Sequence, residues 1–96
     1  MANPTRKSIL TDAMQCVCTD RETEYGTPEN NFAAIATLWN AYKPCGFTAH
    51  DVGMMLALLK VGRISSGQTK ADNYIDLAGY AACAGEIAFN DGKEKE

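Results

Sequence analysis

Residues 48–64 read TAHDVGMMLALLKVGRI. Thr48 with Asp51 three residues later is a capping box, a helix start signal. From there Met54, Met55, Leu56, Leu58, Leu59 and Val61 follow almost unbroken to about Ile64. At 100° per residue these side chains occupy nearly every sector of the wheel. A helix apolar on all sides is buried on all sides. In a chain of 96 residues, that predicts a central helix covered by its own bundle and by another subunit.

The flanking segments supply the rest of the bundle. Upstream, Asn3-Pro4 reads as a helix cap followed by proline at the first helical position, and Ile9, Leu10, Ala13, Met14 and Val17 give an apolar stripe to about Cys18. A charged connection from Thr19 to Gly26 leads to Thr27-Pro28, which repeats the start signal. Phe32, Ile35, Leu38, Trp39 and Tyr42 then fall on one face of a second helix, closed by Pro44 and Gly46. Downstream, 65–68 is a loop, and Thr69 with Asp72 reads as another capping box opening a fourth helix to about Phe89. That helix carries Ala78, Gly79, Ala81, Ala82, Ala84 and Gly85. Glycine costs about 1 kcal/mol against alanine inside a helix, so another helix or a ligand is expected to approach closely. Period-two alternation is absent, so strands are not expected. The expected fold is all-α: one four-helix bundle-like domain over 1–96, with a helical core about 4–89, a flexible tail 90–96, and completion by oligomerisation.

Composition narrows the function. Net charge is −3 and the pI is about 5.0, which argues against duplex DNA binding. Yet between Lys43 and Lys70 the bases Lys43, Lys60, Arg63 and Lys70 face only Asp51, so a local anion site is compatible with an acidic chain. The four cysteines form no C-x-x-C and His50 is the sole histidine, a poor basis for zinc. No run of about 18 apolar residues is present and the first residues lead into no signal-type segment. A cytoplasmic protein with reduced thiols and no membrane contact is expected.

Asp76 is the most informative side chain. It lies inside the fourth helix, beyond any capping position, one turn from Asp72. Like charges at i,i+4 repel by about 0.2–0.5 kcal/mol on an exposed helix. A divalent cation would relieve that, since carboxylates suit Mg²⁺ and Mn²⁺; a salt bridge to Lys60 or Arg63 would serve equally well. The two readings weigh the same on the residues alone. For Asp72 and Asp51 the capping role is sufficient, and a shared cleft with Asp76 is the sharper alternative. Lys60 and Arg63, three apart, suit either the negative end of the helix dipole or a phosphate clamp. Tyr25 beside Gly26 is a candidate ligand wall. Asn31 and Asn73 either cap or hydrogen-bond a base or phosphate. Phe32 and Trp39 belong to the core stripe.

Four segments occur in order: Arg21-x-x-x-Tyr25-Gly26; Asn31-Phe32-x-x-Ile35-Ala36-x-Leu38-Trp39; Asp51-Val52-x-Met54-Met55-x-x-Leu58-Leu59-Lys60-Val61-x-Arg63; and Asp72-Asn73-x-x-Asp76-x-Ala78-Gly79-Tyr80. Together they closely resemble a family of short phage and prophage proteins over about Ile9–Ala88. That family in turn resembles the MazG-type all-α nucleoside triphosphate pyrophosphohydrolases. The resemblance implies a helical homo-oligomer, a dimer or tetramer. It implies Mg²⁺ held by acids of an E-x-x-E helix and a following E-x-x-D helix, and cleavage between the α- and β-phosphates of a (deoxy)nucleoside triphosphate. Carried across, Asp51 comes from the third helix, and Asp76 from the fourth with Asp72 beside it. These three are the expected metal ligands and catalytic acids. Lys60 and Arg63 would hold the outer phosphates, and Arg21, Tyr25, Asn31 and Asn73 would contact the nucleotide. Met54 stands where the second acid of E-x-x-E would be, and Asn73 replaces the first acid of E-x-x-D. Those departures favour two alternatives: a non-catalytic nucleotide binder using the same cleft, or a structural helical oligomer.

Overall fold

Reciprocal side-chain to backbone hydrogen bonds set two of the helix starts. The computed structural model describes residues 3–20, 23 and 26–90. Among them are four α-helices and no strand: α1 (Arg6–Gln15), α2 (Pro28–Tyr42), α3 (Ala49–Ser65) and α4 (Ala71–Asn90). Residues 91–96, most of the expected flexible tail, lie outside the described residues.

α3 starts as its sequence predicts. The Asp51 amide donates to Thr48 Oγ1 and the Thr48 amide donates to Asp51 Oδ2, at 3.1 and 3.0 Å. α2 also starts as expected, with Thr27 capping the Asn30 amide and Pro28 in the first turn. α1 starts later than its Asn3-Pro4 signal, because Thr5 and Ser8 form a reciprocal box of their own. It is α-helical only to Gln15; Cys16–Asp20 widen into a π-helical turn. The expected Thr69–Asp72 box does not form among the described residues. Instead Asn73 is buried and its Nδ2 donates to the Gln68 carbonyl at 2.7 Å, tying the loop down from inside.

α3 and α4 pack antiparallel. A Cβ built on Gly53 would meet Ala84 Cβ at 2.9 Å and Phe32 at 3.2 Å, while Lys60 reaches Asp76. Moving up α3 therefore means moving down α4. α2 covers the same side of this hairpin through Phe32, and the π turn covers it through Val17, which lies 2.8 Å from a Cβ built on Gly79. Of the two α4 glycines expected to mark a close approach, Gly79 does and Gly85 does not, since a Cβ there would meet nothing within 4 Å; Gly53 of α3 is a further close approach. The core gathers Phe32, Ala36, Val52, Cys83 and Ile87, with Trp39 edge-on to Phe47 at its margin.

The bundle covers less of the apolar surface than the stripes predict. In α3, Met54, Met55, Leu58, Leu59 and Val61 are 40–63% exposed. Leu10 and Met14 in α1, and Leu38 and Tyr42 in α2, are also exposed. Short helices shield one arc of α3, and no described segment reaches the other.

Candidate functional site

The chemistry-bearing residues gather where α3 and α4 face each other near the loop that joins them. Lys60 Nζ lies 3.0 Å from Asp76 Oδ2. The lysine side chain is 11% exposed and the aspartate 34%. The lysine stem runs through the packed helix interface, so its ammonium is held away from bulk water. An ammonium has three donors, and among the described residues one of them has an acceptor. The aspartate is turned outward and keeps part of its hydration. Of the two readings of Asp76 open in the sequence, the structure shows the ion pair.

Arg63, one turn beyond Lys60, is exposed. Asp72, one turn before Asp76, is exposed on the facing helix. In the antiparallel register Arg63 falls near the level of Asn73. This end of the hairpin therefore presents two bases and two acids, only one pair of which is joined directly. Such a patch can take an anion through Lys60 and Arg63, and it leaves carboxylates beside that anion to meet a cation the anion brings.

Asp51 is elsewhere. Nine residues before Lys60 on the same helix, it is about 14 Å away along the axis at 1.5 Å per residue, with its carboxylate folded onto the Thr48 amide. Among the described residues no group of three His, Cys, Asp or Glu could hold a metal ion. The structure brings Lys60 to Asp76, and Arg63 and Asp72 to the same end; it does not bring Asp51 to them. The residue opposite Asp76 is Lys60, not Asp51 or Met54. Asn73 is buried, with one N–H of its side-chain amide donated to the Gln68 carbonyl. Arg21 and Tyr25 lie outside the described residues.

Asn31 lines a different cavity, with Val17, Gly26, Pro28, Phe32, Tyr80 and Cys83. Its volume of about 20 Å³ admits about one water molecule, not a nucleobase. A second, wholly apolar groove of about 200 Å³ runs between α1 and α4. One polar residue was missed from the sequence. Asn40 Nδ2 donates to the Phe47 carbonyl and the Phe47 amide donates to Asn40 Oδ1, both at 2.9 Å, which fixes the connection from α2 to α3. Nothing in its neighbours distinguishes it, because its partner is seven residues away across a loop.

Fold and site together define an all-helical protein with an ion pair toward the loop end of a helix hairpin. The chain belongs to the family described as Domain of unknown function (DUF6378), whose model matches residues 8–88. It is similar to the Gene 55 protein of Mycobacterium phage L5, 43% identical over 75 residues, covering 77% of this chain and 48% of that protein. It is also similar to the Gene 55 protein of Mycobacterium phage D29, 33% identical over 81 residues, 84% of this chain and 54% of that protein. These matches place it in a phage protein family. The chain spans about half the length of these curated relatives. No solved structure matches it. Among the described residues no helix is long and apolar enough to cross a membrane.

Proposed function

We propose that this chain is a MazG-like, nucleotide-binding helical protein that holds the phosphates of a (deoxy)nucleotide at the Lys60–Asp76 end of the α3–α4 hairpin. It works in the host cytoplasm as a homo-oligomer, sequestering the nucleotide or regulating another enzyme. The observation that supports this reading is the state of Lys60: a nearly buried ammonium with one carboxylate partner, next to exposed Arg63. A phosphate oxygen would take up its remaining donors with charge-assisted bonds.

A resident Mg²⁺ or Mn²⁺ does not fit the donors found among the described residues of the single chain. Asp76 is already neutralised by Lys60, and Asp51 is about 14 Å along the helix from the pair. No catalytic step is therefore derived through a metal. Pyrophosphohydrolysis stands as the second reading, favoured by the partly exposed Asp76 and the exposed Asp72 on one helix face. In that reading Mg²⁺ arrives on the nucleotide's phosphates.

The test is calorimetric titration of nucleoside triphosphates and cyclic nucleotides, with Mg²⁺ and with EDTA, alongside an assay for released pyrophosphate. A bond to a charged group contributes about 1.5–3 kcal/mol, so Lys60→Met should weaken binding roughly ten- to a hundredfold. Equal affinity in wild type and Lys60→Met excludes this site. Pyrophosphate release that Asp76→Asn abolishes would establish the second reading in place of the first.

A further inference from the structure

We propose that Asp76 selects ribonucleotides whose phosphate has a free hydroxyl on the neighbouring carbon, the 2′-hydroxyl beside a 3′-phosphate, by accepting a hydrogen bond from that hydroxyl. The inference rests on the nucleotide reading and narrows it from nucleotides in general to this class.

The charges of the pair decide what can sit against Asp76. Its carboxylate is 34% exposed, and Lys60 Nζ at 3.0 Å is its one ion-pair partner among the described residues. An ionised carboxylate is an acceptor with about four lone-pair sites, so acceptor capacity remains on the side open to solvent. A second anionic oxygen placed there meets like charge from Asp76 and from exposed Asp72 one turn before it. A cation placed there meets the Lys60 ammonium 3.0 Å away, and no described group of three His, Cys, Asp or Glu could hold a metal ion. What complements the pair is therefore an anionic oxygen on Lys60 and a neutral donor on Asp76. An amino group of the base is a neutral donor, but it lies at the far end of a nucleotide from its phosphate. A sugar hydroxyl lies close to the phosphate.

The spacing of the pair says which hydroxyl. Lys60 and Asp76 are in direct contact, so the ligand must offer its acceptor and its donor from neighbouring atoms. On a ribose, the 2′-hydroxyl and a 3′-phosphate hang from adjacent carbons. The 3′-hydroxyl of a 5′-phosphate is one carbon further off, and a deoxyribose has no 2′-hydroxyl. Lys60 is the deeper member of the pair, so the phosphate enters toward the ammonium and the sugar stays at the rim beside Asp76. Arg63, exposed one turn beyond Lys60, is placed to meet the second charge of a phosphate monoester.

A site that places an acceptor for a hydroxyl rejects the analogue lacking it, because the acceptor is left unpaired. Asp76 keeps part of its hydration, so the discrimination expected is about ten- to a hundredfold, short of what a fully buried acceptor gives.

Calorimetric titration of the full chain in EDTA tests this, using the nucleoside 3′-phosphates of the common bases in ribo, 2′-deoxy and 2′-fluoro forms. The fluoro form keeps an electronegative atom but has no hydrogen to donate. At least one ribo form should bind about ten- to a hundredfold more tightly than both of its analogues. In Asp76→Ala, with helical circular dichroism retained, that ratio should fall to about one. Should Asp76→Ala fail to fold, the fluoro comparison on the wild-type chain decides. Equal binding of ribo, deoxy and fluoro forms, all weakened by Lys60→Met, overturns this inference and leaves the nucleotide reading standing. A ribo preference that folded Asp76→Ala retains also overturns it. Binding of no nucleotide, the 5′-triphosphates and cyclic nucleotides included, overturns both.

Discussion

Lys60 and Asp76 are joined at 3.0 Å across the α3–α4 interface, yet the lysine is about three times less exposed than its partner. The asymmetry matters because the two ends of the pair have different alternatives. Without Lys60, Asp76 can hydrate. Without Asp76, the Lys60 ammonium has no acceptor among the described residues and little access to water.

The first prediction follows from that asymmetry. Asp76→Asn should lower the unfolding free energy by about 1–3 kcal/mol, below the 3–5 of a fully buried pair because Asp76 is partly hydrated. Lys60→Met should cost less. The double variant Lys60→Met/Asp76→Leu should recover most of the loss, since a buried pair is often replaced by apolar groups without penalty. Urea denaturation of the four proteins measures this. Strictly additive losses would show that the two side chains do not act as a pair.

Asp51 supplies a second prediction. If the capping box is its whole role, Thr48→Ala and Asp51→Ala should each cost about 1 kcal/mol. The double variant should cost little more than either, because both break one reciprocal motif. Nucleotide affinity should not change in Asp51→Ala. A large loss of affinity with little loss of stability would return Asp51 to the binding site.

The two close glycines should respond differently to alanine. At Gly53 the new Cβ would meet Ala84 Cβ at 2.9 Å and the Ala84 backbone at 3.4 Å, neither of which can turn aside. Overpacking of that kind costs about 1–3 kcal/mol. At Gly79 the obstacle is Val17 Cγ1 at 2.8 Å, the end of a half-buried side chain on the π turn. Thermal melts should rank Gly53→Ala well below Gly79→Ala, and the reverse order would contradict the packing described.

Much of the fold is legible in the sequence because its start signals are local. Thr48 with Asp51, and Thr27 with Pro28, complete their chemistry within four residues, and both helices begin where those residues say. Gly53 and Gly79 could be suspected of close packing from their place inside helices, but not matched to Ala84 and Val17, which lie about 31 and 62 positions away. The π turn at Cys16–Asp20 has no sequence signature. Thr69 offered a cap as good on paper as Thr48; the buried Asn73 won because its amide reaches the Gln68 carbonyl from inside. At the site, the types of Lys60 and Asp76 were visible, but their pairing depended on the helix register. That register also separates Asp51 from Asp76, which no spacing within α3 or α4 could show. The apolar stripes predict burial at Leu38, Leu58 and Tyr42, where no described segment covers them.

A fourth prediction concerns the α2–α3 connection. Asn40→Leu removes both bonds to Phe47 and leaves a part-buried amide and carbonyl unpaired, a loss of about 1–3 kcal/mol. Hydrogen exchange at the Phe47 amide should accelerate far more than exchange in the middle of α4. Uniform acceleration would mean the bond does not hold that loop.

In the proposed function, Lys60 receives the phosphates of a nucleotide without a resident metal. The most direct measurement is a thermal-shift screen of nucleoside triphosphates and cyclic nucleotides on wild type and Lys60→Met, each with Mg²⁺ and with EDTA. Ligand at a hundred times its dissociation constant stabilises the native state by about 2.7 kcal/mol, a shift of roughly 10 °C or more in a domain of this size. At least one nucleotide should give such a shift, equal in Mg²⁺ and EDTA and lost in Lys60→Met. No shift for any nucleotide, or one that Lys60→Met retains in full, would contradict it.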